Sequence, residues 1–210
     1  MLLFLDLVTS GLLREDLPLG SSSQPWALKI AAELSDMEGN RVSAIDVLIK
    51  AEGRTVKPMA KKVHGVDERR CEQYGVKQNA VLATLTDLAG KALRVVTYGD
   101  FDKRVITSLL INLESQTNTK KGAFVSRWDR AGLEFLNIQD PVCTRECSIL
   151  KEGDGLDEDQ LRWPSLEEAC EHLLTTSYEI DKADAWSGLN ATKSLFFELL
   201  NRGHFEQKAC

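Results

Sequence analysis

The sequence predicts a mixed α/β fold, in which an antiparallel three-strand meander and further parallel strands form a central sheet flanked by helices. Three observations predict this class: consecutive strand patterns near the start, alternating strand and helix patterns afterwards, and an apolar helix pattern near the end. The 210 residues are 43% hydrophobic, which is enough for one core, so we expect a single domain over residues 1–210.

The meander is predicted by three strand patterns in the first part of the chain. The apolar run from Leu2 to Val8 indicates a buried strand, and Trp26 to Ser35 and Val42 to Ile49 indicate two more. Glu38-Gly39-Asn40, between the last two patterns, is typical of a hairpin turn. Consecutive strands linked in this way favour antiparallel pairing.

Helices alternate with a strand in the rest of the chain. Apolar residues at helical spacing predict helices from Gln78 to Gly90 and from Phe101 to Leu113, with a strand from Leu93 to Thr97 between them. A capping box, Ser165-x-x-Glu168, predicts the start of a helix that runs through Leu174. The last helix includes Ala191 to Leu200 and should stop at Gly203.

Charge and cysteine content limit the possible environments and partners. The net charge of −6 and the isoelectric point near 5.2 are unlike those of proteins that bind nucleic acid mainly by nonspecific charge attraction. Five scattered cysteines make a poor disulfide framework, so we expect reduced thiols and a cytoplasmic protein. We expect no signal peptide and no membrane partner, because no basic leader and no long apolar run is present.

The most informative segment is the first strand and its turn, Phe4-Leu5-Asp6-Leu7-Val8-Thr9-Ser10-Gly11-Leu12. It resembles the Asp-x-Glu-Thr-Thr-Gly-Leu motif of the DEDDh 3′–5′ exonucleases, the family of the proofreading exonuclease of bacterial replicative polymerases. Residues two apart on a strand share a face, so in that family the Asp and Glu together hold a pair of divalent cations. In this chain Asp6 is kept and Val8 stands in place of the Glu.

Four further segments resemble the same family in the same order. Ala60 to Val66 is similar to its Ala-x-x-(Ile/Val)-His-Gly-(Ile/Val) segment, which lies beside the nucleotide being removed. Val95 to Asp102 resembles the second motif, with Asp102 as its acid and Tyr98 where Asn is usual. Arg162 to Ala169 resembles the Lys-Trp-Pro helix start, and Asn190 to Leu200 the helix that completes the active site. The resemblance therefore implies a ribonuclease-H-like fold.

The third motif of that family, His-x-x-x-x-Asp-(Val/Ala)-x-Ala-Thr, is degenerate here. When Ala191-Thr192 is aligned without a gap, the His position falls on Ala183 and the Asp position on Gly188. The resemblance implies a reaction on two metal ions, Mg²⁺ or Mn²⁺, held by four carboxylates with a His as general base. Only Asp6 and Asp102 remain, so we expect weakly bound or absent metal and impaired or absent catalysis.

An alternative register keeps an active exonuclease open. It reads Glu179-x-x-x-x-Asp184, with Glu179 at the His position, and requires about four inserted residues before the last helix. The ligand set would then be atypical: Asp6, Asp102, Asp184 and Glu179.

The resemblance also implies substrate contacts and partners. The substrate would be the 3′ end of single-stranded nucleic acid, although a protein partner or a purely structural interaction module is also compatible with the sequence. A homodimer is an expectation from related exonucleases. Tyr98 would either stack on a base or fill the space left by the usual Asn. The residues implied to contact substrate are Thr9, Ser10, Leu12, His64, Tyr98 and Phe101.

Overall fold

A computed structural model describes residues 1–116, 124–141, 149–150, 161–174 and 178–205. Its core is a five-stranded sheet with the strand order β3-β2-β1-β4-β5. A separate two-stranded antiparallel pair is formed by β6 and β7. The strands are β1 Leu2–Thr9, β2 Ala27–Ser35, β3 Arg41–Leu48, β4 Arg94–Thr97, β5 Glu134–Asn137, β6 Ile149–Leu150 and β7 Leu161–Arg162.

The predicted fold class is confirmed by the strand pairing. Strands β1, β2 and β3 pair antiparallel, as the meander required, and β4 and β5 add to β1 in parallel. Because β1, β4 and β5 run in the same direction, their carboxyl ends lie along one edge of the sheet. Ligands of open α/β sheets commonly bind outside such an edge.

Helices flank the sheet at the positions that the apolar patterns predicted. The predicted helices correspond to α3, α4, α7 and α8, and the capping box of α7 is formed by Ser165 and Glu168 as predicted. The helices are α1 Pro58–His64, α2 Glu68–Tyr74, α3 Gln78–Ala89, α4 Phe101–Gln116, α5 Val125–Trp128, α6 Gln139–Pro141, α7 Leu166–Leu173 and α8 Ala185–Asn201.

Seven short elements were not predicted: α1, α2, α5, α6, β5, β6 and β7. Helix α1 buries none of its residues and α2 buries only Cys71, so neither has the apolar stripe that identifies a helix in a sequence. Strand β5 is four residues long and no residue in it is fully buried. Short, half-exposed elements carry little periodic signal.

The last helix, α8, packs directly on β1. Phe196 of α8 meets Phe4 of β1 edge to face, with 5.5 Å between ring centroids. Because Phe4 lies on the side of α8, the even-numbered side chains of β1 face this helix. Leu3 and Leu5 point to the opposite face and are also fully buried, so both faces of β1 are covered.

A buried ion-pair network fixes α8 against the sheet. The Glu33 side chain on β2 is almost fully buried, and its carboxylate contacts the ammonium of Lys193 on α8. The other Glu33 oxygen accepts a hydrogen bond from Nε of Arg41 at 2.9 Å. Lys193 also donates to the Gly39 carbonyl in the hairpin at 2.7 Å. The network therefore joins the β2–β3 hairpin to α8.

Among the described residues, no helix has both the length and the apolar character needed to cross a bilayer.

Candidate functional site

The sequence-predicted acids lie at the carboxyl edge of the sheet. Asp6 and Val8 are on β1, and Asp102 lies in the first turn of α4, directly after β4. The start of α8 crosses the same region, because Gly188 faces the Asp6 side chain. Strand pairing and helix packing therefore bring the first, second and third motif segments together.

Asp6 and Gly188 lie so close together that a residue with a Cβ atom at position 188 would overlap the Asp6 side chain. A Cβ atom built on Gly188 would lie 2.6 Å from Oδ2 and 2.9 Å from Oδ1 of Asp6. Gly188 is buried within α8, so the missing side chain leaves space in the interior of the site. The Asp6 carboxyl group occupies the space where a larger residue at position 188 would project.

Asp6 and Asp102 are ionisable groups in a poorly solvated place. Asp102 is only 8% exposed, and burial raises its pKa to about 8. Burial, and then the neighbouring carboxylates of Asp102 and Asp184, raise the pKa of Asp6 well above its ordinary value. Within the part of the chain that the structure describes, neither carboxyl group has an ion pair or hydrogen bond to stabilise its charge. The pair therefore holds protons that ordinary aspartates lose.

Val8 lies opposite a lysine. It is 5% exposed and is the partner of Lys29 in the antiparallel β1–β2 register, so the two side chains share a face of the sheet. The Lys29 ammonium lies 3.0 Å from Oδ1 of Asp46 on β3 and also contacts Asp184. In the motif that this strand resembles, the position of Val8 holds the second acid. Here it holds an apolar residue beside the Lys29 cation.

Asp184 and Glu179, the two acids that the alternative register adds, lie in different surroundings. Asp184 is the N-cap of α8, and its Oδ1 accepts a hydrogen bond from the Trp186 backbone N–H at 3.1 Å while it contacts Lys29. Glu179 is exposed and lines a separate cavity of about 560 Å³ beside His64 and Ala183. Asp184 is therefore close to Asp6 but already paired.

His64 joins α1 to the end of β1. Its Nδ1 accepts a hydrogen bond from the Val66 N–H at 3.1 Å, so its Nε2 carries the proton and donates to the Thr9 carbonyl, also at 3.1 Å. Burial lowers the pKa of His64, in agreement with a neutral ring. Gly65 ends the helix in the left-handed region, with φ of 69°.

An apolar pocket of about 550 Å³ lies between the end of β1 and α1. Leu12, Met59 and Val63 are unusually exposed for their type, at 77%, 73% and 61%. Among the predicted substrate residues, Thr9, Leu12 and His64 line it. We name this surface the apolar pocket; its principal lining residues are Val8, Leu12, Met59, Ala60, Val63 and His64.

The other predicted substrate residues lie outside the apolar pocket. Ser10 is buried, and its hydroxyl accepts a hydrogen bond from the Trp26 N–H at 3.1 Å. Tyr98 and Phe101 follow β4. The Tyr98 hydroxyl is 2.8 Å from the Pro164 carbonyl and 3.2 Å from that of Ser165, so it anchors the segment before α7.

Several residues of the site were not singled out from the sequence. Met59 and Val63 lie on α1, whose helical character was missed, and their exposure is visible only once the helix is formed. Lys29 had a signal that could have been used, because a lysine inside the apolar run Ala27-Leu28-Lys29-Ile30 needs a partner. Its two partners, Asp46 and Asp184, are distant in sequence.

The described residues do not fit the metal pair that the resemblance implies. Asp6 and Asp102 are the acids at the family positions, whereas Val8 and Gly188 supply no oxygen donor. The Asp6 carboxyl group fills the space next to Gly188. Across the described residues, no group of three or more histidine, cysteine or acidic side chains is arranged to hold a metal ion.

The contact between Asp6 and Gly188 can be tested by a double-mutant cycle. Alanine ordinarily stabilises a helix interior by about 1 kcal/mol relative to glycine. We expect Gly188→Ala instead to lower the free energy of unfolding by about 1 to 3 kcal/mol, because its Cβ would overlap the Asp6 carboxyl group. In an Asp6→Ala background the same change should be neutral or stabilising. Equal effects in both backgrounds, measured by urea unfolding, would contradict the close approach.

The raised pKa values predict an unusual pH dependence of stability. Between the ordinary aspartate pKa and about 8, the folded protein binds more protons at Asp102 than the unfolded chain does, and Asp6, whose pKa is also raised, acts in the same direction. Their contribution to the free energy of unfolding is therefore present in acid and is lost as pH rises towards 8. Asp102→Asn should gain stability relative to the parent as pH rises from about 5 to 8, in urea titrations. The matched control is Asp129→Asn at the exposed end of α5. A constant difference between Asp102→Asn and parent would refute the assignment.

Comparison with known proteins relies on structure alone. No protein-family model matches the sequence, and no curated protein matches it. Among solved structures, E. coli exonuclease I bound to a dT13 oligonucleotide matches with a TM-score of 0.68 and 17% identity over 95% of this chain and 40% of that one. Exonuclease I from Methylocaldum szegediense matches with a TM-score of 0.66, 18% identity, and coverage of 96% and 40%.

A product-bound exonuclease I matches with a TM-score of 0.70 and 17% identity, over 97% of this chain and 44% of that one. One E. coli structure combines single-stranded DNA with a zinc ion. The chain thus spans about 40% of the length of these proteins. Together with the mixed five-stranded sheet, the matches show that this chain has a ribonuclease-H-like fold similar to that of the matched part of exonuclease I.

Proposed function

We propose that this protein binds the 3′ end of single-stranded nucleic acid and has little or no capacity to cleave it. The observation that carries the proposal is the Asp6–Gly188 contact, in which a remaining acid fills the place of a missing one. The apolar pocket beside that contact supports the binding part of the proposal.

The apolar pocket has the chemistry expected for a terminal nucleoside. Leu12, Met59 and Val63 offer exposed apolar surface against which a base can pack. Lys57 and Lys182 also line the pocket, and their ammonium groups can attract a phosphate near its mouth. Exonuclease I structures contain single-stranded oligonucleotides, which supports the same ligand class for this fold.

The acidic net charge indicates how binding should be achieved. A chain with net charge −6 gains little from general attraction to phosphates. We infer that base packing in the apolar pocket supplies much of the affinity. Binding should then depend less on salt than that of a basic nucleic-acid-binding protein.

Slow or absent cleavage follows from the residues at the family positions. The loss of a general base typically costs about 10²- to 10⁴-fold in rate, and Ala183 stands at that position. A divalent ion between Asp6 and Asp102 would also have to displace the protons that their raised pKa values retain. If Mg²⁺ or Mn²⁺ binds at all, these two carboxylates would be its protein ligands.

The alternative is an active exonuclease that uses Asp6, Asp102, Asp184 and Glu179. Its ligand set would require Asp184 to leave Lys29 and the N-cap of α8, and exposed Glu179 to turn towards the carboxylates. This cost disfavours the alternative.

We also propose a cytoplasmic location and a homodimer, or another protein partner, at the sheet edge. Cys71 and Cys170 are free and buried, as suits a reducing compartment. Strand β3 is one of the two edge strands of the sheet, and most of its residues are exposed. Unpaired strand edges can pair with another chain.

Binding should depend on the apolar pocket. We expect Leu12→Ala to weaken binding of a 5′-labelled oligothymidylate about tenfold, because it removes apolar surface from the base. Leu93→Ala is the matched control. Leu93 is also exposed, but it lies just before the amino end of β4, opposite the carboxyl edge of the sheet. Fluorescence anisotropy in the presence of a chelator measures both. Equal losses, or no binding by the parent, would refute the assignment of the pocket.

Metal should neither stabilise the parent nor support digestion. An ion present at 100 times its Kd would add about 2.7 kcal/mol to the free energy of unfolding. We expect no such gain with millimolar Mn²⁺ and no shortened products on a sequencing gel. The combined variant Val8→Glu, Ala183→His, Gly188→Asp is the positive control and should recover metal binding if Asp6 can move aside. A chelator-sensitive ladder made by the parent would favour the active alternative.

A further inference from the structure

A second surface along the carboxyl edge of the sheet centres on Trp163. Its side chain is 51% exposed, although tryptophan is usually largely buried. It lies directly before Pro164 and the N-cap of α7, Ser165. Trp26 and Trp128 are buried, and Trp186 is partly buried under the Arg41 guanidinium. Trp163 is therefore the most exposed of the four tryptophans.

The backbone next to Trp163 is fixed to the sheet by side-chain hydrogen bonds. The carbonyl of Pro164 accepts from the Tyr98 hydroxyl at 2.8 Å and from Nε2 of Gln139 at 3.2 Å. Tyr98 follows β4 and Gln139 follows β5, and their segments are joined because Asn137 Oδ1 accepts from the backbone N–H groups of Gly99 and Gln139. An exposed aromatic ring on an anchored backbone loses little entropy when a ligand packs on it.

This anchoring places Trp163 on the same edge as the two carboxylates. Asp102 follows β4 within five residues of Thr97, and Tyr98 lies between them in sequence. Neighbouring strands are about 4.8 Å apart, so the ends of β4 and β5 lie about 5 to 10 Å from that of β1. The apolar pocket lies on the other side of these two carboxylates, at the end of β1 and beside α1. A strand that runs along this edge would pass Asp6 and Asp102 between the two surfaces.

We infer that Trp163 is a stacking platform for a base of single-stranded nucleic acid, some nucleotides before the 3′-terminal one. The inference rests on the proposed function, because it needs a strand whose 3′ end lies in the apolar pocket. Stacking on an aromatic ring tolerates any base, so the platform lengthens the bound segment without adding sequence preference. It also suits an acidic protein, since it needs no positive charge.

The experiment compares a thymidine dinucleotide with a thymidine octamer as ligands of the full chain, in a chelator-containing buffer. We expect the octamer to quench tryptophan fluorescence. Trp163→Ala should weaken octamer binding about tenfold and remove most of the quenching, while dinucleotide binding stays unchanged. Trp163→Phe should retain most of the octamer affinity, because its ring can still stack. Trp186→Phe is the control for quenching at another tryptophan.

The outcomes separate this inference from the proposed function. If the parent binds both ligands and Trp163→Ala binds the octamer as the parent does, the platform is refuted and the function stands. If Trp163→Ala loses the dinucleotide and the octamer equally, the platform is also refuted. If the parent binds neither ligand, the function and the platform both fail. Circular dichroism of each variant establishes that it is folded.

Discussion

The close approach of α8 to β1 is the contact on which the rest of the site depends. Phe196 against Phe4 and the Glu33–Lys193 pair bring the helix onto the sheet, and Gly188 lets it come near enough for the Asp6 carboxyl group to take up the free space. A side chain at position 188 would have to compete with Asp6 for the same volume. The packing of α8 on β1 and the position of the Asp6 carboxyl group therefore both depend on Gly188.

The electrostatics of the site follow from that packing. Burial raises the pKa values of Asp6 and Asp102, and the neighbouring carboxylates of Asp102 and Asp184 raise that of Asp6 further, so each of the two groups resists becoming charged. A cation on the same face of the sheet, Lys29, is held by Asp46 and Asp184. The ion pair between Lys29 and Asp184 also holds the N-cap residue of α8 in place. The ion pairs in this region therefore connect β2, β3 and the start of α8.

The surfaces around the site have the features on which the proposed binding depends. Exposed apolar side chains at one end and an exposed, anchored tryptophan at the other line the same edge of the sheet. Binding by base packing needs neither a divalent ion nor a positive net charge. The proposed binding function therefore does not depend on the acids that are absent from Val8 and Gly188.

The sequence by itself determined the meander, the four longer helices and the shared face of Asp6 and Val8, because these features are written in local periodicities. It did not reveal α1, α2 or β5, which lack an apolar stripe or a buried run. Only the tertiary structure decided that Asp6 fills the space at Gly188, that Lys29 stands beside Val8, and that Trp163 lies at the carboxyl edge of the sheet. Such contacts join residues far apart in the chain, and they depend on strand register and helix approach, which no local pattern encodes.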